Sequence, residues 1–247
     1  MKKLLIATCT LVILSSCEAQ GSFEQDIALV NLSDLDRGKI SEVINIINSK
    51  QPDVVAIDVQ FYGREKPSDD YKLLLALEHC KNLVMISLIA NYDGRKEKDY
   101  TEFTYGSMPE FLIGAKTGFA NVILENDRSL RKFSIYEKVK GKIEYHFAIQ
   151  VAMSFDSIKT MEFIRSKPRI VNVDYVAGKG LKVFSADDVL QERVSQNDIR
   201  GKIVMFGFLG PGDEDKFYTP LNENPNEPDM YGLEYLANIV AQVLESR

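Results

Sequence analysis

Three continuous apolar runs, separated by two amphipathic helical patterns, constrain this chain more than any other feature. "DIALVNL" (26–32), "PDVVAIDVQF" (52–61) and "NLVMISLIA" (82–90) carry apolar residues at consecutive positions between polar borders. A strand with one wet face alternates, whereas a strand covered on both faces does not. Between the first two runs, "DRGKISEVINIINSK" (36–50) places Ile40, Val43, Ile44 and Ile47 on one helical face. Before the third, "SDDYKLLLALEHC" (68–80) sets Leu73, Leu74, Leu77 and Cys80 in a stripe, with Ser68 as the expected N-cap. Strand–helix–strand–helix–strand implies parallel pairing through right-handed crossovers.

The middle of the chain reads differently. "TGFANVILE" (117–125) and "LRKFSIYEKVKGKIEYHF" (130–147) read as strands joined by tight turns, with Lys140-Gly141-Lys142 a hairpin turn. "FAIQVAMSF" (147–155) is a short apolar helix and "RIVNVDYV" (169–176) returns to strand. "SADDVLQ" (185–191) has the pattern of a capped helix start, and "GKIVMFGFL" (201–209) is the last strong strand. "GLEYLANIVAQVLE" (232–245) aligns Leu233, Leu236, Ala237, Val240, Ala241 and Leu244 on one face. No repeat or linker interrupts the pattern. The expected fold is α/β: a single domain with a central, mostly parallel sheet flanked by helices, and an antiparallel hairpin region in the middle. At 247 residues such a domain can bury its core without disulfides.

The first residues stand apart from that fold. Lys2 and Lys3 precede the apolar stretch 4–14, which is of signal-peptide type and too short to span a bilayer. "LSSC" (14–17) then resembles the lipobox of bacterial lipoproteins. That resemblance implies cleavage before Cys17, a diacylglycerol on its sulfur and acylation of the new amino group. The alternative is that Cys17 is a small residue near an ordinary cleavage site. The expected organisation is a signal peptide at 1–16, a tether at 17–25 and the domain at 26–247. Fully extended, the tether reaches roughly 30 Å, which holds the domain close to its membrane. Cys9 leaves with the signal and Cys17 takes lipid, so Cys80 remains alone and the mature domain has no internal disulfide.

A net charge of −6 argues against nucleic acid, which needs a clustered basic surface. The acidic loop that follows the last strand, "GFLGPGDEDKFYT" (207–219), is the main candidate for chemistry. Gly207, Gly210 and Gly212 match neither the dinucleotide fingerprint nor a P-loop, and Asp213, Glu214 and Asp215 would repel phosphate. Asp213 and Asp215 have the alternate spacing of a calcium loop but lack its glycine and distal glutamate. Two histidines and no cysteine pair make zinc poorer still. His79 and Cys80 point about 100° apart on a helix, and no nucleophile elbow or placed triad exists. No cofactor, metal or catalytic residue is therefore expected.

Position is what remains. Ligands of open α/β sheets gather beyond the carboxyl ends of strands, near a topological switch point. Asp58 ends one strand and the loop follows another, so Asp58, Asp215 and Lys216 would converge if those strands are parallel neighbours. The other reading is that Asp58 caps a turn and Asp215 pairs with Lys216 at the surface.

"IDVQFYG" (57–63), "GFANVILENDRSLRKF" (118–133), "FSADDVLQ" (184–191), "IRGKIVMFGFLGPGDEDKFYTPL" (199–221) and "MYGLEYLANIVAQVL" (230–244) occur in the order and spacing of a known family. In them the chain resembles the CHASE family, type two, the extracellular sensory domain of bacterial histidine kinases and cyclases. Motif positions include Asp58, Gly118, Asn121, Gly207, Asp215, Thr219, Gly232 and Asn238. The resemblance implies an extracytoplasmic sensory α/β domain of unassigned ligand, with no catalytic residues to carry over.

Family members pass into transmembrane helices after this domain, whereas this sequence stops at Arg247. The expectation is therefore a non-enzymatic, lipid-anchored sensory or ligand-binding domain without its own transducer. It would face the periplasm or the cell exterior. Candidate ligand residues are Asp58, Gly207, Gly210, Asp213, Asp215, Lys216 and Thr219, with Cys17 the lipidated residue. The expected partners are the membrane, through Cys17, and an unknown small molecule or envelope protein. Alternatives are an assembly lipoprotein that binds a protein partner, and an envelope hydrolase using Asp58 and the acidic loop.

Overall fold

The computed structural model describes residues 23–104, 106–175 and 180–245. The expected signal peptide, most of the tether and Cys17 lie outside the described residues. The strands in chain order are β1 (Ile27–Asn31), β2 (Val54–Ile57), β3 (Leu83–Ser87), β4 (Asp99–Tyr100), β5 (Lys116–Phe119), β6 (Ile123–Leu124) and β7 (Leu130–Ser134). They continue with β8 (Tyr136–Val139), β9 (Lys142–Tyr145), β10 (Ile170–Asn172), β11 (Lys182–Ser185), β12 (Ile203–Gly207), β13 (Lys216–Phe217) and β14 (Met230–Tyr231). The helices are α1 (Arg37–Ser49), α2 (Pro67–Glu78), α3 (Phe147–Phe155), α4 (Ser157–Ser166), α5 (Ala186–Leu190) and α6 (Gly232–Glu245).

Six strands form the central sheet in the order β11-β1-β12-β2-β3-β5. Every pairing in it is parallel. Side chains of successive strand residues face opposite helix layers, as the pleat requires. Ile27, Leu29, Val54, Ala56, Ile203 and Met205 share one core with α3 and α6. Ala28, Val30, Val55, Ile57, Val204 and Phe206 share the other with α1, α2 and α5. Both faces are dry, which is why these strands read as continuous apolar runs.

The last helix shows how strongly the sheet uses its neighbours. α6 buries Leu233, Leu236, Ala237, Val240, Ala241 and Leu244 of the expected stripe, and also Tyr235, Asn238, Ile239 and Val243. Each fully buried Leu, Ile or Val contributes about 1.5–3 kcal/mol. α6 is therefore a central element.

Small sheets decorate one end, with β7 pairing antiparallel to β6 and β10, and β8 to β9. Lys140 (φ 51°) and Gly141 (φ 78°) occupy the hairpin turn as expected.

Three local expectations are corrected. Ser68 is not an N-cap: α2 starts at Pro67, whose fixed φ suits the first helical position, and Lys66 is the cap residue. The 117–125 run divides into β5 and β6, because Asn121 turns its amide onto Ile89, accepting from its N–H (2.7 Å) and donating to its carbonyl (3.0 Å). The 52–61 run pairs as a strand only over β2, and the chain leaves the sheet near Asp58.

The segment beyond β2 is pinned by a residue that sequence reading passed over. Arg37, only 3% exposed, donates to Asp70 (2.6 Å) and to the carbonyls of Tyr62 (2.6 Å) and Gly63 (2.9 Å). Its guanidinium lies 6.0 Å from the Phe61 ring centroid and 5.3 Å from that of Phe111. Buried charges persist when they are paired in this way.

Candidate functional site

β12 lies between β1 and β2, although β2 follows β1 in sequence, so the chain leaves a gap that its later part fills. The helix after β1, α1, packs on one face of the sheet and the helix after β12, α6, on the other. That reversal is the topological switch point at which open α/β sheets collect ligands.

A cavity of about 730 Å³ opens there, beyond the carboxyl ends of β2, β3, β5 and β12. Its walls are mostly apolar: Val59, Ile86, Leu88 and Ile89 from the β2 and β3 ends, Ala120 and Val122 after β5, Phe208 from the loop, Phe217 of β13, and Leu236 of α6. Such volume and lining match small-molecule sites, which span about 300–1,000 Å³.

Two charged side chains line it, Asp58 and Asp215. Asp58 continues the β2 ladder, its N–H donating to the Phe206 carbonyl at 2.7 Å. By the alternation of the pleat, its side chain falls on the α6 side of the sheet. Asp215 arrives from the loop, and its carbonyl accepts the Gly232 N–H at 2.9 Å. Its carboxylate then lies across the first residue of α6. A Cβ on Gly232 would come within 2.9 Å of Asp215 Oδ2, so only glycine leaves this carboxylate its place. Gly207 acts similarly, because a Cβ there would meet the Leu233 methyls at 3.2 Å and Asp58 Cβ at 3.4 Å.

The electrostatics follow from enclosure. Burial, and secondarily the charge on Asp215, hold the Asp58 carboxyl well above the usual carboxylate range. Burial pushes Asp215 up to about 6. Neither carboxyl has a hydrogen-bonding or ion-pair partner among the described residues. The pair therefore retains proton character close to neutral pH.

The candidate residues separate accordingly. Asp58 and Asp215 are brought together, as the parallel-neighbour reading required. Lys216 is not the third member, since it pairs with Asp213 at 2.8 Å and lies 4.9 Å from the Tyr231 ring centroid. A side chain three residues away and already at the surface is reached more cheaply than a carboxylate in a cavity. Asp213 is correspondingly exposed. Gly210 serves the loop through its carbonyl, which accepts the Tyr231 hydroxyl. Thr219 lies outside this cavity, buried and bonded to Asp229 through its N–H (2.8 Å) and hydroxyl (2.6 Å). Asn31 anchors the loop start, accepting from the Leu209 N–H (2.9 Å) and donating to its carbonyl (3.1 Å).

Sequence reading missed Tyr92, Phe208, Phe217 and Tyr235 in the lining. Aromatics in loops carry no periodic signal, and Tyr235 lies off the stripe of α6. A second cavity of about 390 Å³ adjoins the first and shares Phe208 and Asp215 with it. Asp34 and Glu214 add further acids there. No group of three or more potential ligands is arranged for a metal ion among the described residues. No described helix is long and apolar enough to cross a membrane.

Other motif positions serve the backbone. A Cβ on Gly118 would lie 2.6 Å from Phe147 Cα, so α3 packs directly on β5. Asn238 is buried and donates to the Glu234 carbonyl at 2.8 Å.

Comparison with known proteins agrees with this architecture. A family model described as the CHASE2 domain matches residues 23–247. No curated protein sequence and no solved structure matches the chain.

Proposed function

Because the chain belongs to the CHASE2 family of extracellular sensory domains, we propose that it senses a small molecule in the cavity between Asp58 and Asp215. One observation carries this reading. The half-buried carboxyls of Asp58 and Asp215, with no hydrogen-bond or ion-pair partner among the described residues, line an apolar cavity at the switch point of the sheet. Desolvating a carboxyl without pairing it is costly, and a ligand would relieve that cost. The family is a sensory one rather than an enzyme family, which supports recognition as the function of the site.

The reading includes an address. Lys2, Lys3, the apolar stretch 4–14 and the "LSSC" sequence support lipid attachment at Cys17. Several acyl chains hold a protein stably at a membrane, where one holds it marginally. The domain then faces away from the cytoplasm. Because Phe23–Asp26 already form a 3-10 turn of the domain, the tether is shorter than expected, and 17–22 reach roughly 20 Å from the surface.

Thermal unfolding of the protein against envelope metabolites tests the proposal. A ligand at a hundred times its dissociation constant stabilises by about 2.7 kcal/mol, a readily measured rise in midpoint. The rise should disappear in Asp58→Asn and Asp215→Asn. If no small molecule moves the midpoint while a specific protein partner is retained, the domain is an interaction module.

The raised carboxyl pair also favours a second reading, hydrolysis with one acid protonated and the other ionised. That reading requires turnover by the purified protein, lost in the same two variants while the fold persists.

A further inference from the structure

The chemistry left uncommitted in the cavity narrows the ligand further, resting on the sensory reading above. Asn121 spends both ends of its amide on Ile89. The Tyr92 hydroxyl donates to Glu137 at 3.3 Å, and that of Tyr235 to the Lys132 carbonyl at 3.1 Å. Both tyrosine hydroxyls are therefore spent within the protein. Among the polar side chains of the lining, Asp58 and Asp215 alone stay uncommitted, and once ionised by an incoming cation they only accept hydrogen bonds. Lys216, the nearest base in the loop, is held by Asp213.

The surroundings exclude the opposite charge. Asp34 and Glu214 line the adjoining cavity, so an anion would approach a cluster of four acidic side chains and no free base among the lining residues. The positive end of α6 gives it no foothold: Asp215 lies across Gly232, and Glu234 accepts the Tyr231 N–H at 3.0 Å. The walls, built largely of aliphatic and aromatic side chains, favour an apolar body.

We propose that the cavity selects a protonated amine on a mainly apolar body, with its ammonium seated between Asp58 and Asp215. The ammonium supplies the donors and the charge that both carboxylates lack. Its entry displaces the proton that the raised carboxyls hold when the site is empty. No other titratable side chain lines this cavity except Tyr92 and Tyr235, and both of these titrate far above neutral pH.

Calorimetric titration of the full chain with 2-phenylethylamine, 2-phenylethanol and 3-phenylpropionate tests the charge preference at near-constant shape. The amine should bind at least tenfold more tightly than the alcohol at pH 7.5, and the carboxylate should give no detectable heat. Amine binding should release protons to the buffer, increasingly so as pH falls from 8 towards 6. Asp58→Asn and Asp215→Asn should each bring the amine to the level of the alcohol without lowering the unfolding midpoint. Equal binding of amine and alcohol, or preference for the carboxylate, would overturn the ligand class while leaving the cavity a binding site. Calcium binding at the pair with no response to amine would overturn it in favour of a metal. Silence from all three compounds would also overturn it, and the metabolite screen then decides separately whether the cavity binds anything.

Discussion

Replacing Asp215 with asparagine should stabilise the protein at neutral pH and leave it unchanged in acid. In the folded chain the carboxyl is held at about 6, against an ordinary value of 3.8. Fully enclosed, that difference would correspond to about 3 kcal/mol of destabilisation at pH 7. Part of the carboxyl faces water in the cavity, and screening reduces the figure to about 1–2 kcal/mol. The sign follows from proton binding. Folded Asp215 binds its proton more tightly than the unfolded residue does, so its contribution is most favourable below about pH 4. It turns unfavourable as pH rises from 4 to 6, and is constant above. Asparagine keeps the shape and removes the titration. Urea unfolding at half-unit steps from pH 4 to 8 should show Asp215→Asn exceeding the parent by about 1–2 kcal/mol above pH 6.5. In a domain of this size that corresponds to roughly 2–8 °C in midpoint. The two should coincide near pH 4. A loss of stability at pH 7, or a gain independent of pH, would refute the assignment of Asp215 as a carboxyl held at a cost for binding.

Other residues make separate commitments. Arg37→Ala should cost about 3–5 kcal/mol in urea unfolding, because it leaves Asp70 and two carbonyls beneath the 58–66 segment without their donor; a change below 1 kcal/mol would show the cluster to be dispensable. Gly118→Ala should cost about 1–3 kcal/mol, since its Cβ meets the Phe147 backbone rather than a movable side chain. His146 is fully buried between the Phe119 and Phe133 rings, accepts the Ala148 N–H at 3.3 Å through Nδ1, and is pushed down to about 3 by burial. Its imidazole resonances should therefore not titrate between pH 5 and 8. Its contribution to stability should be complete above about pH 6.5 and fall away as pH drops towards 3. Titration near 6.5 would contradict that burial.

The fold was legible where both faces of an element are covered. β1, β2, β3 and β12 announce themselves as unbroken apolar runs, and the stripe of α6 is visible without coordinates. β11 was missed because it is an edge strand, with Lys182 at its start and Val183 exposed. α4 was missed because Asp156 ends α3 and caps α4 at once, leaving no turn residues between them. It buries only Thr160 and Phe163, which is too little to set a stripe. The site was legible as a condition: Asp58 and Asp215 meet if β2 and β12 are neighbours. Strand order has no local signature: consecutive strands are neighbours only about two-thirds of the time, and here β12 comes between β1 and β2. The same limit explains Lys216, whose choice between Asp213 and Asp215 depends on which carboxylate the folded loop leaves in water.

β12 enters the centre of the sheet last, and this sets a schedule for making the domain. Asn31, at the end of β1, meets Leu209 across 178 residues of chain. Until residues 203–207 are in place, β1 and β2 each show a bare edge where a strand belongs, the kind of edge that invites pairing with other chains. At about 5–20 residues per second, the wait after β2 has emerged lasts on the order of ten seconds. Half-made copies would be vulnerable to aggregation throughout, and holding them unfolded until the final strand is delivered would protect the sheet. The strand that seals this seam also carries the loop that brings Asp215 to Asp58, so the two carboxyls meet only once the centre of the sheet is closed.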